Sequence, residues 1–283
     1  MPDTARIAQA YAHCQRVACN HYENFPVASR LLPQPLRRPI SAVYAFARNA
    51  DDFADEGNAS PQQRLALLDD YARALEQAAQ GQANDDPVFI ALADVLQTHA
   101  LAPSLHDLLT AFRMDVTTRR YPTAADVLAY CHYSAKPVGR MVLQLCGRDD
   151  SANLACSDAI CTALQLINFL QDIDSDYRDR QRIYLPLDEM QRFEVTEAQL
   201  AARHNSPQLR ALIHYQIARA HDLMKQGAPL GARLTGMLGL EIRLTIAGGM
   251  RILEALRRRQ DSFSQPRLRP RDWPIMAWQA LIA

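Results

Sequence analysis

Apolar residues recur three and four positions apart along residues 61–80, 88–99, 152–173, 208–225 and 230–259, the period of a helix that buries one face. The alternating, β-branched pattern of a half-buried strand is almost absent. Proline supplies the punctuation. Pro33, Pro35, Pro39, Pro87, Pro103, Pro122, Pro186 and Pro229 fall between the periodic stretches, where a residue with a fixed φ and no amide N–H is expected to end one helix before the next begins. About eight to ten helices follow from that spacing. No low-complexity linker, internal repeat or shift in composition divides them. The expectation is an all-α chain forming a single domain over residues 1–283.

Composition narrows the class. With 48% hydrophobic residues in 283, there is enough apolar surface for a substantial core. Basic and acidic residues balance at 31 each, so no overall field draws the chain to nucleic acid. Lysine occurs only at Lys136 and Lys225, and the remaining basic residues are arginine. The cysteines Cys14, Cys19, Cys131, Cys146, Cys156 and Cys161 show neither Cys-x-x-Cys nor metal-type Cys/His spacing, which fits reduced thiols in a cytoplasmic core. No uninterrupted apolar run reaches the roughly 18 residues needed to span a bilayer, and the N-terminus lacks a basic segment followed by an apolar one. A cytoplasmic protein is expected, with at most peripheral contact at the inner membrane. The basic, proline-rich stretch 265–271 reads as a solvated connection.

Chemistry enters with two polar stripes. Asp51, Asp52, Asp55 and Glu56 place four carboxylates in six residues, directly after the apolar run 40–47. Asp51 and Asp55 share a helix face, where like charges repel unless a cation intervenes, and Arg48 is the one basic residue close by. Taken alone, this run reads more readily as a solvated acidic face. A second stripe changes that. Asn168, Asp172 and Asp176 recur at four-residue steps, Gln165 extends the row, and Leu164, Leu166, Ile167, Phe169, Leu170 and Ile173 surround it. Polar groups set into so apolar a helix need partners. Hard oxygen donors without histidine or cysteine favour Mg²⁺, which is held by a few carboxylates together with water and phosphate oxygens. Two such stripes with arginines nearby describe a device for ionising a diphosphate, since Mg²⁺ and arginine stabilise charge on the departing oxygens.

These paired motifs resemble the squalene/phytoene synthase family of head-to-head prenyl synthases, and the likeness extends from about residue 21 to about residue 259. It implies an all-α isoprenoid synthase fold around a central apolar cavity, with the two motifs facing each other. It also implies that Asp51, Asp52, Asp55, Asn168, Asp172 and Asp176 serve the metal-dependent chemistry, with two or three Mg²⁺ ions bridging the diphosphate. Arg48 falls where the family has a diphosphate-binding arginine, and Tyr44 where it has a site tyrosine. His21, Asn24 and Phe25 lie where relatives carry a segment that contacts diphosphate and prenyl chain; taken alone, His21 reads as a hydrogen-bonded helix histidine. Tyr133 and Lys136 belong to a stretch whose Pro137 and Gly139 are expected to break a cavity-lining helix. Arg178, Arg182 and Tyr184 resemble a basic, tyrosine-containing loop over the diphosphate.

Departures from the common pattern, among them Gln171 where many relatives have arginine, resemble the bacterial branch that takes presqualene diphosphate and lets water capture the product as an alcohol. A neutral Gln171 is expected to help hold that water, and no NADPH is expected. Three rivals stay open: a sister synthase condensing two prenyl diphosphates, a non-catalytic assembly module, and an ordinary bundle with acidic patches. The oligomeric expectation is a monomer or homodimer.

Overall fold

The computed structural model describes residues 4–20, 33–82 and 85–282. Its helices are α1 (Thr4–Asn20), α2 (Gln34–Asp55), α3 (Pro61–Ala79), α4 (Pro87–Leu96), α5 (Ala102–Thr117), α6 (Ala124–Ser134), α7 (Lys136–Leu145), α8 (Ser151–Gln171), α9 (Ile173–Arg180), α10 (Leu187–Arg192), α11 (Glu197–Ala201), α12 (Pro207–Gly227), α13 (Leu230–Arg233), α14 (Gly236–Arg258) and α15 (Asp272–Ile282). Among the described residues there is no strand, and one isolated parallel bridge joins Arg120 to Ile183.

Most proline positions do what fixed φ demands. Pro61, Pro87 and Pro207 each occupy the first helical residue behind a capping side chain: Ser60, Asp86 and Ser206 accept from the amides of Gln63, Val88 and Leu209. Caps of this kind stabilise a helix by about 1 kcal/mol each. Pro39 departs from the expectation, because it lies inside α2. It sits early in the helix, so only its own missing N–H is forfeited, and the Ser41 hydroxyl bonds the nearby Arg38 carbonyl at 2.8 Å. The helices are also more numerous than the periodicity implies. α10, α11 and α13 span six, five and four residues, too short to show a 3.6-residue period. The periodic stretch 230–259 is broken at Gly236, whose φ of +66° belongs to the left-handed region that favours glycine.

Two compact units are present. The first comprises α1 to α5 with α7, and the second comprises α6 with α8 to α15. In the first, α2 packs against α1, α3, α4 and α5. Its inward stripe is Ala42, Ala45, Phe46, Ala50 and Ala54, all buried. Small residues let the neighbours approach, while Phe46 stacks on Tyr71 at 4.8 Å and meets Phe89 edge-on at 6.1 Å. The opposite side of α2 is thereby left to its polar residues.

In the second unit, α8 is the central helix, packed against α12 and also touching α6, α9, α13 and α14. Its length and mean hydropathy would allow it to cross a bilayer, yet more than half of it is buried within the protein, as befits a core helix. Glu189 and Gln216 are buried, and Arg219 joins them in one hydrogen-bonded cluster. Arg259, following α14, donates to the Leu170 carbonyl at 3.0 Å and the Ser264 carbonyl at 2.8 Å. Burial lowers its guanidinium to about 10. That clasp lays residues 260–267 beside the C-terminal end of α8.

Candidate functional site

The first acidic motif occupies the last two turns of α2. Its side chains Asp51, Asp52 and Asp55 are half-buried, as are Arg48 and Tyr44 one and two turns earlier. Arg48 answers part of the repulsion inherent in the spacing, lying 3.0 Å from Asp51, 2.5 Å from Asp52 and 2.6 Å from Glu56. A guanidinium presents several donors in a rigid fork, so one side chain serves three carboxylates. The turn itself is fixed from outside the motif. Arg64 on α3 donates to the carbonyls of Phe53, Glu56, Gly57 and Ala59 at 2.8 to 3.1 Å, satisfying acceptors that the end of α2 leaves open. Nothing in the sequence period singled out Arg64, since its role depends on the chain reversing through Gly57 at φ +73°.

The second motif is not carried on one uninterrupted helix. α8 ends at Gln171, Asp172 takes φ −102° and ψ 14°, and α9 begins at Ile173. The four-residue hydrogen bonds nevertheless continue through the bend, from the Asp172 amide to Asn168 at 2.9 Å and from the Asp176 amide to Asp172 at 2.8 Å. Asn168, Asp172 and Asp176 therefore keep their succession, and Gln165 lies one turn before Asn168 on α8. Aspartate is a favoured residue at such a junction, yet this carboxylate makes no capping bond. Its Oδ1 accepts instead from the Gln265 amide. Burial pushes the Asp172 carboxyl above the ordinary carboxylate range, with the Gln265 bond and the charges of Arg180 and Arg267 working in the opposite direction.

Stretch 265–271, expected to be a solvated connection, thus lies partly against this motif. Gln171 is buried and its amide donates to the Pro266 carbonyl at 2.6 Å, while Arg267 donates to the Gln265 side-chain oxygen at 2.9 Å. Sequence reasoning missed Gln265 because its contact spans more than ninety residues. The one available signal was a lone glutamine within an arginine-proline run.

After α9 the chain reverses at Gln181, whose φ of 54° gives a left-handed helix cap. The returning strand-like segment bonds to residues 119–122 through Ile183 to Arg119 at 3.0 Å and Leu187 to Tyr121 at 2.9 Å. Tyr184 is thereby laid on Phe169 of α8, rings 3.8 Å apart and nearly parallel, with the Tyr121 ring also stacked near it at 5.5 Å. Arg182 is buried, and its amide bonds the Asp176 carbonyl at 2.9 Å. Asp176, Arg182 and Tyr184 line a small cavity with Phe169, Ile173 and Leu200. Arg178, by contrast, is exposed and pairs with Asp174 at 3.5 Å. Tyr133 meets His132 edge-on, and Lys136 stands 4.0 Å from Asp158. The break expected around Pro137 occurs, with α6 ending at Ser134 and α7 starting at Lys136. His21, Asn24 and Phe25 lie outside the described residues.

Residues 19–274 match the family described as squalene/phytoene synthase. The chain belongs to that family. A squalene/phytoene synthase-type chain named hydroxysqualene synthase, from Rhodopseudomonas palustris, is 36% identical over 92% of this chain and 88% of its own length. A second protein of that name, from Zymomonas mobilis, is 42% identical over 78% of this chain and 74% of its own. The crystal structure of squalene synthase HpnC from Alicyclobacillus acidocaldarius superposes with a TM-score of 0.84 at 35% identity, covering 93% of this chain and 98% of that one. The all-α isoprenoid synthase fold and an enzyme of the prenyl synthase type are therefore as expected.

Proposed function

We propose that this enzyme converts presqualene diphosphate and water into hydroxysqualene and diphosphate, in the bacterial route to squalene and hopanoids. The observation that carries the reading is chain-long likeness to proteins named hydroxysqualene synthase, at 36% identity over 92% of this chain. The carbon–oxygen bond to diphosphate breaks, and the electron pair leaves with the diphosphate. The cyclopropylcarbinyl cation rearranges, a water oxygen bonds the resulting cation, and a proton departs. No reductant enters the balance, so no NADPH is needed.

The donor set suits Mg²⁺. It consists of oxygens alone, and Asp172 keeps a half-buried carboxylate whose ionised form is under-compensated in the protein. Among the described residues no three carboxylate, histidine or cysteine groups converge as a ready-made metal site, in keeping with an ion that takes further ligands from water and phosphate. Two or three such ions would be held by Asp51 and Asp55 of the first motif, with Asp52 supporting, and by Asn168, Asp172 and Asp176 of the second. Bound Mg²⁺ supplies charge stabilisation for the departing diphosphate. Arg48 pairs with Asp51, Asp52 and Glu56, and a guanidinium is a donor that suits phosphate oxygens equally well. Arg178, Arg182 and Lys136 add positive charge for the same anion, with Gln165, Tyr44, Tyr133 and Tyr184 as polar contacts. Gln171, anchored on Pro266, is a neutral amide where an arginine would repel the cation. The same proposal places the enzyme in the cytoplasm with peripheral contact at the inner membrane.

Product analysis tests the reaction. Purified protein with Mg²⁺ and presqualene diphosphate, without NADPH, is expected to release hydroxysqualene. Condensation of farnesyl diphosphate with presqualene diphosphate left untouched would instead assign the enzyme to a sister branch. Gln265 offers a finer check, because it orients Asp172 without being placed on the substrate. Gln265→Ala is expected to raise the Mg²⁺ concentration needed for half-maximal rate about tenfold, as loss of a supporting hydrogen bond on a ligand does, and Gln265→Asn to recover part of it. An unchanged Mg²⁺ dependence would remove Gln265 from this role.

A further inference from the structure

α15 is apolar around nearly its whole circumference, with Asp272 and Gln279 as its only polar residues. Asp272, Met276 and Ala280, spaced by four, are buried, and α15 packs against α14. The other described side chains of the helix, residues 273–275, 277–279 and 281, face outward. Trp273 is 55% exposed, Trp278 66% and Leu281 72%, with Ile275 also exposed. A helix this apolar ordinarily lies buried, and contiguous exposed apolar surface marks a contact site. Beside its N-terminal end is a groove lined by Arg251, Arg258, Arg267, Arg269 and Arg271 against only Glu254 and Asp272. Arg251 is engaged by Asp272 at 2.7 Å and Glu254 at 2.8 Å. Arg267, Arg269 and Arg271 are exposed.

We propose that the outward face of α15 and the arginines of residues 267–271 form a docking surface for an anionic lipid bilayer. Tryptophan rings settle at the level of lipid headgroups and leucine and isoleucine just below them, while arginines beside them meet the phosphates of anionic lipid. Charge complementarity selects this occupant. A second copy of the chain meeting this face with its own would bring only carboxylates already paired with arginine, since Asp272 is buried and bonded to Arg251 and Glu254 is paired with Arg251 and Arg258. Residues 265–267 continue from this surface to Asp172 and Gln171, so the second acidic motif lies next to the docking segment. The inference gives a surface to the peripheral contact proposed above and is independent of the reaction.

Both tryptophans of the chain are in α15, so selectively excited tryptophan fluorescence reports on this helix alone. With the full-length protein and no substrate, vesicles mixing phosphatidylglycerol with phosphatidylcholine are expected to shift the emission to the blue and to co-sediment the protein. Pure phosphatidylcholine vesicles are expected to do so far less. Arg269→Gln with Arg271→Gln should weaken partition roughly 25-fold, at about fivefold per arginine, and added salt should act in the same direction. Trp278→Gln with Leu281→Gln, at exposed positions that leave the fold intact, should weaken it at least about tenfold. Failure of the parent protein to bind anionic vesicles, or binding that neither double variant alters, would overturn the proposal. So would a solution dimer that Trp278→Gln with Leu281→Gln turns into monomer, which would assign the face to a second copy. Turnover of presqualene diphosphate in detergent is measured without vesicles, so failure of the docking surface is distinguishable from failure of the proposed reaction.

Discussion

Asp172→Asn protein is expected to unfold at no lower temperature than the parent while forming product at least about a hundredfold more slowly. The two effects have one origin. Burial holds the Asp172 carboxyl above the ordinary carboxylate value, outweighing the Gln265 hydrogen bond and the charges of Arg180 and Arg267. A carboxyl raised in the fold binds more protons than the unfolded chain does between its unfolded and folded values, so stability falls as pH climbs through that window. Above the window the penalty is fully present. Asparagine has nearly the same shape, can accept from Gln265 through its oxygen, and carries no charge to desolvate. What it loses is the anionic ligand. An electrostatic stabiliser of a departing anion is commonly worth a hundred- to thousandfold in rate, and a metal position deprived of a carboxylate falls in that range. Calorimetry at pH 5 and pH 8, paired with single-turnover product formation, checks both halves. A variant that turns over normally would remove Asp172 from the chemistry, and one that unfolds many degrees lower would make its role structural.

The contrast between α2 and α8 shows which features were legible in the chain. In α2 the acidic run, the apolar stripe behind it and the single nearby arginine are all local, so spacing alone showed Arg48 to be the basic residue close to the carboxylates, and it pairs with three of them. In α8 and α9 the same spacing gave the order of Asn168, Asp172 and Asp176 but hid the bend at Asp172, because the partner of that carboxylate is Gln265, far along the chain. Pro39 misled for a related reason. A proline rule treats the residue in isolation, whereas early in a helix the loss is a single hydrogen bond. The outward face of α15 was illegible in a different way: an apolar helix looks like core in sequence, and only packing shows that Met276 and Ala280 are buried while Trp273 and Trp278 are not. Residues whose meaning comes from neighbours within one or two turns could be read, and those whose meaning comes from distant partners could not.

A large structural effect is expected at Gly227, where α12 ends against α8. A Cβ at this position would stand 2.5 Å from Cγ1 of Ile160 and 2.6 Å from the carbonyl oxygen of Cys156. The second of these is backbone and cannot swing aside, so accommodation requires α8 and α12 to separate. Alanine ordinarily stabilises a helix relative to glycine, but at a helix end that gain is small against overpacking of about 2–3 kcal/mol. Gly227→Ala is therefore expected to lower Tm by roughly 5 °C or more. Gly248 provides the contrast within the same unit. Its nearest neighbour for an added Cβ is the terminal methyl of Met276 at 3.2 Å, the far end of a flexible side chain, so Gly248→Ala should change stability by less than about 1 kcal/mol in either direction. The consequence for function follows from where Gly227 presses. Ile160 and Cys156 lie on α8 in the turns before Gln165 and Asn168, so moving that helix displaces the polar row while every side chain in it is unchanged. Gly227→Ala protein that remains folded should accordingly need more Mg²⁺ for half-maximal rate, whereas Gly248→Ala should not. Equal Tm values for the two variants would show that α8 and α12 have slack at this crossing, and the coupling from Gly227 to the second acidic motif would fall with it.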